Sequence, residues 1–506
     1  MVSLVFIAKG TGDDGDSVLH FLYARYAFHH PENFFNQWAK PMYVLFASPF
    51  AQFGFTGIKI FNVVVSAAAI YFSYRSVKLL QIGNAWFVVV AMCCAPMNIH
   101  LTLSGLTEPL FALALSIVIF LALKEKHTAA ALLVSFLPFF RSEGLIIICV
   151  YIFYLLFKKK WKLIPLLAAG HVAFSIAGYF YYKDFLWVFN KLSYATLHSV
   201  YGEGSPVIFV RGMVEYLGWM LLIFFSIGAV AGVARFAISF FMKEKKFPLE
   251  EFWLVFGSFF SVWIGHMIFW WFGIFNSFGL TRVLIEVLPC AAMISTRGFS
   301  AVNDTIKIFD SLRARLLVAG IFISAVLITS FVQLHWSCDF GLTGGEKAID
   351  KAATKYNGEL KGYTIYSTAP YVSAAFNFDN FDSTKHRLTD KILSDKKIQE
   401  KSAVVWDNYA ATESRVALGN LMVDPRLVLL DTFQSKDCHG NENTVAVFRF
   451  TGSDTALWKV RDTIYVNDFE RENFSPADSI ALSGKYSVAV NDENQYSPGL
   501  DAPVKE

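Results

Sequence analysis

Charge and cysteine are scarce in this chain. Lys, Arg, Asp and Glu make up 17% of its 506 residues, and there are six cysteines. Six over such a length is too few for a disulfide scaffold. Cys93, Cys94, Cys149 and Cys290 fall in apolar runs and act there as small hydrophobes. Cys338 and Cys438 fall in a polar region and would pair only if it faced an oxidising compartment. The chain has no Walker motif, zinc-type Cys/His spacing, internal repeat, low-complexity tract or nucleic-acid signature, so nothing argues for nucleotide hydrolysis, structural zinc or a nucleic-acid partner. The first residues lack the basic region and small-residue site of a cleavable signal. The opening apolar run, Met1 to Ala8, is too short to span a bilayer, so a first helix trimmed at its start is expected.

Apolar surface is abundant. Hydrophobic residues reach 55%, aromatics 17% and mean hydropathy +0.44. A soluble protein of this size does not need so much, and a polytopic membrane protein is implied. Residues 1–333 hold 25 Lys and Arg against 16 Asp and Glu, a balance of +9; residues 334–506 hold 19 against 25, a balance of −6. That shift predicts a membrane domain over 1–334, followed by a small extracytoplasmic α/β domain over 335–455 and a β-rich tail over 456–506.

Apolar segments read as 56–75, 84–101, 107–123, 128–140, 143–157, 163–182, 213–236, 252–273, 279–296 and 316–333, about eleven spans with the short first one. Basic residues cluster in alternate loops: Arg75 and Lys78, Lys124 to His127, Lys158 to Lys162, Arg235 to Lys246 and Arg297 to Arg315. Those five loops are assigned to the cytoplasm. Residues 128–157 must cross and return in about thirty residues, so the turn at Arg141-Ser-Glu143-Gly144 should sit below the outer surface. Residues 16–55, with Pro31, Pro41 and Pro49, read as amphipathic helices along the outer interface.

In the polar part, Tyr363–Ser367, Ala403–Trp406, Leu427–Leu430 and Val445–Phe450 read as strands, with helices near 383–398 and 409–422. Farther on, Thr463–Phe469 and Lys485–Asn491 alternate like exposed strands. Asp468-Phe-Glu470 followed by Ser483-Gly-Lys-Tyr-Ser487 looks like the start of a carbohydrate-binding β-sandwich.

The predicted outer side gathers the unusual charges. Its first loop carries Asp13, Asp14 and Asp16, then Lys40. Next come His100 and the Ser104-Gly-Leu-Thr107-Glu108 turn, the hairpin with Arg141 and Glu143, the long loop with Glu203 and Arg211, and finally Thr281-Arg282 with Glu286. Charges in so apolar a chain, all on one side, imply a shared polar cavity. Structural readings stand beside this one. Asp-Asp-Gly-Asp also makes an N-capped turn, Arg282 and Glu286 also make an i,i+4 pair, and Glu108-Pro109 also opens a helix. Arg141 with Glu143 also fixes a hairpin, and His266 between aromatics reads as a packed or hydrogen-bonded core histidine.

On the acid-rich first loop, the Ser104-x-x-Thr107-Glu108 turn, the Arg141-Ser-Glu143-Gly144 hairpin and the Thr281-Arg282 helix, residues 1 to about 335 resemble the GT-C integral-membrane glycosyltransferases, of family-39 or mannosyltransferase type. The resemblance implies transfer of a hexose or mannose-like sugar from an undecaprenyl- or dolichyl-phosphate donor to an acceptor hydroxyl on lipid, glycan or protein, with inversion, on the periplasmic or lumenal side of a membrane. A bacterial inner membrane fits the short loops. It also implies a first-loop aspartate as general base. The long loop lacks the family's obvious second aspartate at its centre. Asp16 is the first choice because it opens the stretch Asp16–Tyr26, with Asp14 and Asp13 after it. Arg282 is the first candidate for the donor phosphate, ahead of Arg211, Arg141 and Lys40. Glu108, Glu143, His100 and Glu203 would line the cavity. The sequence assigns no cofactor; oxygen ligands from Asp13, Asp14 and Asp16 would suit a divalent metal, although the segment offers no clear further ligands. The rival readings are a transporter or flippase, and a non-catalytic envelope protein that binds glycan.

Overall fold

A computed structural model describes residues 2–13, 15–192, 198–242, 247–306, 312–394, 398, 400–452, 476–477 and 487–488. The chain divides into two compact units, Met1–Leu342 and Thr343–Glu506.

The first unit is helical. Five helices are long and apolar enough to cross a membrane: Gly54–Leu79, Trp161–Tyr182, Trp219–Phe241, Glu251–Trp271 and Thr281–Thr305. Shorter apolar helices include Pro41–Ala51, Glu108–Leu123, His127–Phe140, Gly144–Phe157 and Leu317–Val332. The expected run 84–101 is two helices, Phe87–Cys94 and Pro96–Thr102, because Pro96 cannot donate into a continuing helix and holds Ala95 extended. The run 213–236 likewise breaks at Gly218, whose φ of 80° lies in the left-handed region. Thr281–Thr305 lies at the centre of the unit, 89% buried, whereas the other four are 22–44% buried. Outward-facing Val230, Val233, Phe240, Ile321 and Val332 are more than half exposed, an apolar exterior suited to lipid.

Four helices frame the end that carries the first-loop acids, labelled here α1 (Asp16–Tyr26), α2 (Pro41–Ala51), α3 (Glu108–Leu123) and α4 (His127–Phe140). Pro41 and Pro109 stand in the first turns of α2 and α3, where their missing N–H costs nothing. After α4 the chain turns through Arg141–Glu143 into α5 (Gly144–Phe157). A Cβ on Gly144 would lie 2.3 Å from Leu137 C and Pro138 N; only glycine lets the returning leg start so close to the outgoing one. Each leg has 14 residues, about 21 Å at helical rise, and Arg141, Ser142 and Glu143 in the turn between them are half-buried.

The second unit is a mixed sheet of β1 (Thr364–Tyr366), β2 (His386–Arg387), β3 (Ser402–Asp407), β4 (Leu427–Lys436) and β5 (Glu442–Phe450), in the order β2-β1-β3-β5-β4. β1 is parallel to β2 and β3; β5 is antiparallel to β3 and β4. Helix Gly344–Tyr356 packs Ala348, Ile349 and Ala352 against Ile365, Ala403 and Val447 on one face. Trp406, Leu421 and Phe448 fill the other. That helix opens with a capping box: Glu346 N donates to Thr343 Oγ1 at 3.1 Å and Thr343 N to Glu346 Oε2 at 2.9 Å. All four expected strands are present. The helix expected near 383–398 is corrected: His386–Arg387 pairs with β1, and only Lys391–Ser394 is helical among its described residues. The one near 409–422 is two short helices, Ala411–Ser414 and Leu418–Val423, separated where Arg415 turns left-handed. The strand expected at Thr463–Phe469 lies outside the described residues. Of Lys485–Asn491, the described Ser487–Val488 pairs antiparallel with Pro476–Ala477. The β-sandwich expectation otherwise falls outside the described residues.

Candidate active site

The first loop is tied down from three sides. Ser17 Oγ donates to Thr11 O at 2.6 Å and accepts from Gly105 N at 2.6 Å. His100 Nε2 lies 3.0 Å from Gly12 O, and Lys59 Nζ donates to Ala8 O at 2.8 Å. A Cβ on Gly105 would sit 2.4 Å from Ser17 O, so the turn before α3 approaches α1 only because it is glycine. Asp13 Oδ1 accepts from Gly15 N at 2.8 Å, closing the turn that launches α1. Asp16 occupies the first turn of α1, with its side chain 44% exposed.

Arg282 joins the two acids. Its Nη1 donates to Asp13 Oδ2, its Nη2 donates to Asp16 Oδ2, and its Nε lies 3.8 Å from Glu108 Oε1. Below it, Arg141 is the hub of an inner layer. Nη1 donates to Thr107 Oγ1 at 2.8 Å and lies 3.1 Å from Glu108 Oε1, Nη2 is 3.3 Å from Glu143 Oε1, and Nε pairs with Glu286. Glu143 also meets His266 Nε2 at 3.4 Å, and Lys40 Nζ donates to Ser142 Oγ at 2.9 Å. Each of Asp13, Asp16, Glu108, Glu143 and Glu286 ion-pairs with Arg141 or Arg282, and Lys40 stands beside them. Acid exceeds base by two if every group is charged. Glu108 and Glu286 are buried to 1% and 0% exposure, and Oε2 of each has no hydrogen-bond partner among the described residues.

The i,i+4 pairing of Arg282 with Glu286 is corrected. Thr281–Val287 is a 3-10 helix, in which residues four apart point about 120° from one another. Arg282 therefore turns to the first loop and Glu286 to Arg141. The pairing of Arg141 with Glu143 is present, and Glu108-Pro109 does open α3.

Asp13, Asp16, Arg282, Glu108, Arg141, Glu143 and Lys40 are thus brought together. His100 reaches only the loop edge, through Gly12. Glu203 and Arg211 are exposed on the 201–211 segment and, among the described residues, form no ion pair with the cluster. Asp14 lies outside the described residues. Asp13 and Asp16 both spend an oxygen on one guanidinium, so the positive charge facing them belongs to the protein.

His266 is packed near Phe209 and Phe269, as expected of a core histidine, and also faces Glu143. One group escaped the sequence reading. His20 stacks on Trp38 at 4.5 Å, and its Nδ1 is buried with no hydrogen-bond partner among the described residues. Its spacing of four from Asp16 was the available signal. Burial, then the charges of Arg141, Arg282 and Lys40, push His20 down to about 3, so it is neutral near pH 7. Burial also pushes Lys40 down to about 8, with Glu143 opposing that shift and Arg141 adding to it.

Neither a protein-family profile nor a curated protein sequence matches this chain. Two solved structures match its fold. ArnT from Cupriavidus metallidurans bound to undecaprenyl phosphate aligns with TM-score 0.57 and 11% identity, over 88% of this chain and 96% of that one. The apo state of the same protein aligns with TM-score 0.54 and 9% identity, over the same shares. Identity this low speaks for architecture alone, and the architecture is the ArnT-like GT-C fold.

Proposed function

We propose that this protein is an integral-membrane glycosyltransferase that moves a sugar from a polyprenyl-phosphate donor to an acceptor hydroxyl, with inversion. The observation that carries the reading is Arg282, a guanidinium shared by Asp13 and Asp16 at the rim of a buried charge cluster. A lipid phosphate leaving group needs a fixed cation to stabilise charge as the glycosyl bond breaks, and guanidinium offers two parallel donors for it. The acceptor needs a carboxylate within hydrogen-bond reach. Asp16 suits that role better than Asp13, which is tied into its own turn through Gly15 N. An inverting displacement needs base and leaving group on opposite faces of the sugar, with room between them. The Arg282–Asp16 pair therefore opens when the donor enters, the arginine passing to phosphate and Asp16 to the hydroxyl. Arg141 and Lys40 back the cation from below, and the binding of undecaprenyl phosphate by ArnT supports a phosphate site in this fold.

The finer reading goes with it. The shorter apolar helices from Glu108 onward, the broken 84–101 run and the short first segment complete a bundle of about eleven crossings, the outer end faces the periplasm or lumen, and the sugar is a hexose or mannose-like. The test is transfer of radiolabelled sugar from polyprenyl-phosphate donors by the purified protein in detergent, comparing it with Asp16→Asn and Arg282→Ala. Full activity in both variants removes the site assignment; no turnover with any donor removes the function.

A further inference from the structure

At the other end of the α4–α5 hairpin, about 21 Å from Arg141 by helical rise, lies a cavity of about 320 Å³ that the transferase reading does not use. It is lined by Glu125, His127 and Thr128 at the start of α4, and by Lys159, Lys160, Trp161, Lys162 and Leu163 after α5. Three lysines face one glutamate there. None of the three ion-pairs with a carboxylate among the described residues, in contrast to Lys158 next door, which pairs with Glu250. Lys162 lies over the Trp161 ring, 5.8 Å from its centroid. His127 is only 8% exposed, and its Nδ1 has no hydrogen-bond partner among the described residues. The first-turn N–H groups of α4 receive no side-chain cap from Lys126.

We infer that this cavity binds the phosphate of an anionic phospholipid headgroup. The inference rests on the membrane reading and does not use the transferase one. A phosphodiester brings a negative charge and two free acceptor oxygens to a cavity that offers three ammonium groups, the start of a helix and an imidazole that can donate. The membrane argues for a lipid over a free anion. Trp161, 61% exposed, and Phe157, 59% exposed, stand beside the lysines with their rings outward, the arrangement of aromatic anchors at a bilayer interface. The basic loop places the cavity in the cytoplasmic leaflet, and basic pockets between helices on that side hold anionic headgroups. Glu125 lowers the attraction without reversing it.

The experiment uses the full chain in detergent, titrated with phosphatidylglycerol, phosphatidylcholine or inorganic phosphate. Retained lipid is counted by native mass spectrometry and thermal unfolding is followed in parallel. Phosphatidylglycerol should be retained in preference to phosphatidylcholine and should raise the unfolding temperature. The double variant Lys160→Ala/Lys162→Ala should weaken that binding roughly 30-fold, two lysines' worth of surface attraction. Lys160→Arg/Lys162→Arg should keep it and shows that the site tolerates substitution. Equal retention of the two lipids, undiminished binding in the alanine variant, or equal stabilisation by inorganic phosphate would each overturn the inference.

Discussion

Two buried charge clusters stand in the helical unit, and they are built differently. In the cluster around Arg141 and Arg282, five carboxylates face two arginines and a lysine, and the outer acids remain 25% and 44% exposed. In the other, Glu251 sits at 3% exposure with Arg297 on one oxygen and Arg235 3.6 Å from the other. There base exceeds acid, the pairing is closed and no carboxylate reaches water. Both break the rule that charge avoids apolar helices. Only the first has a surplus of acid and an open rim. A closed pair fixes how helices meet, whereas an open and unbalanced cluster has capacity left for a substrate.

Mutation can break that contrast. Asp16→Asn should lower transfer by about 10²–10⁴-fold, the usual worth of a general base, and Arg282→Ala by about 10²–10³-fold. Steady-state assays of sugar transfer read both. If these losses fail to appear while Glu251→Ala abolishes turnover in folded protein, the two clusters have been assigned the wrong way round. Glu251→Ala should instead cost about 3 kcal/mol of stability, because Arg297 is left charged and unpaired, with transfer per folded molecule unchanged; thermal unfolding beside the assay separates the two.

A gentler probe is pH. Lys40 loses its charge above about pH 8, so transfer should decline as pH rises through that value, and Lys40→Met should flatten this limb of the profile. Stability runs the other way. The unfolded chain keeps the lysine protonated up to its ordinary 10.5 and so binds more protons than the folded chain between about 8 and 10.5, and stability rises with pH across that window. Smallest of all, Arg235→Ala should change stability by less than about 1 kcal/mol. Its side chain is 47% exposed and screened by solvent, and a larger loss on thermal unfolding would mean that the closed cluster extends further than drawn.

Much of this was legible beforehand. Asp16, Arg282, Arg141 and Glu108 stand out because ionisable groups are rare in apolar segments, and β3 to β5 because β-branched runs alternate between turn residues. The pairings were not. Glu286 was matched to Arg282 on α-helical spacing, and a 3-10 turn rotated it to Arg141. The two-residue strand β2 carries no pattern of its own and exists only by pairing with β1. Helix Gly344–Tyr356 was legible and missed, for Thr343 and Glu346 spell its capping box.

The amino-acid sequence alone determined that most of this chain belongs in a bilayer, which loops carry the basic charge, and that its acids gather toward one end. Those properties follow from transfer free energies that act residue by residue. Tertiary structure alone decided that Arg282 grips Asp13, 269 positions away, that Arg141 gathers Glu108, Glu143 and Glu286, and that Glu203 and Arg211 stay outside. Ion pairing acts over a few ångströms, and distances that short between remote segments are set by how helices cross and where glycines let them touch.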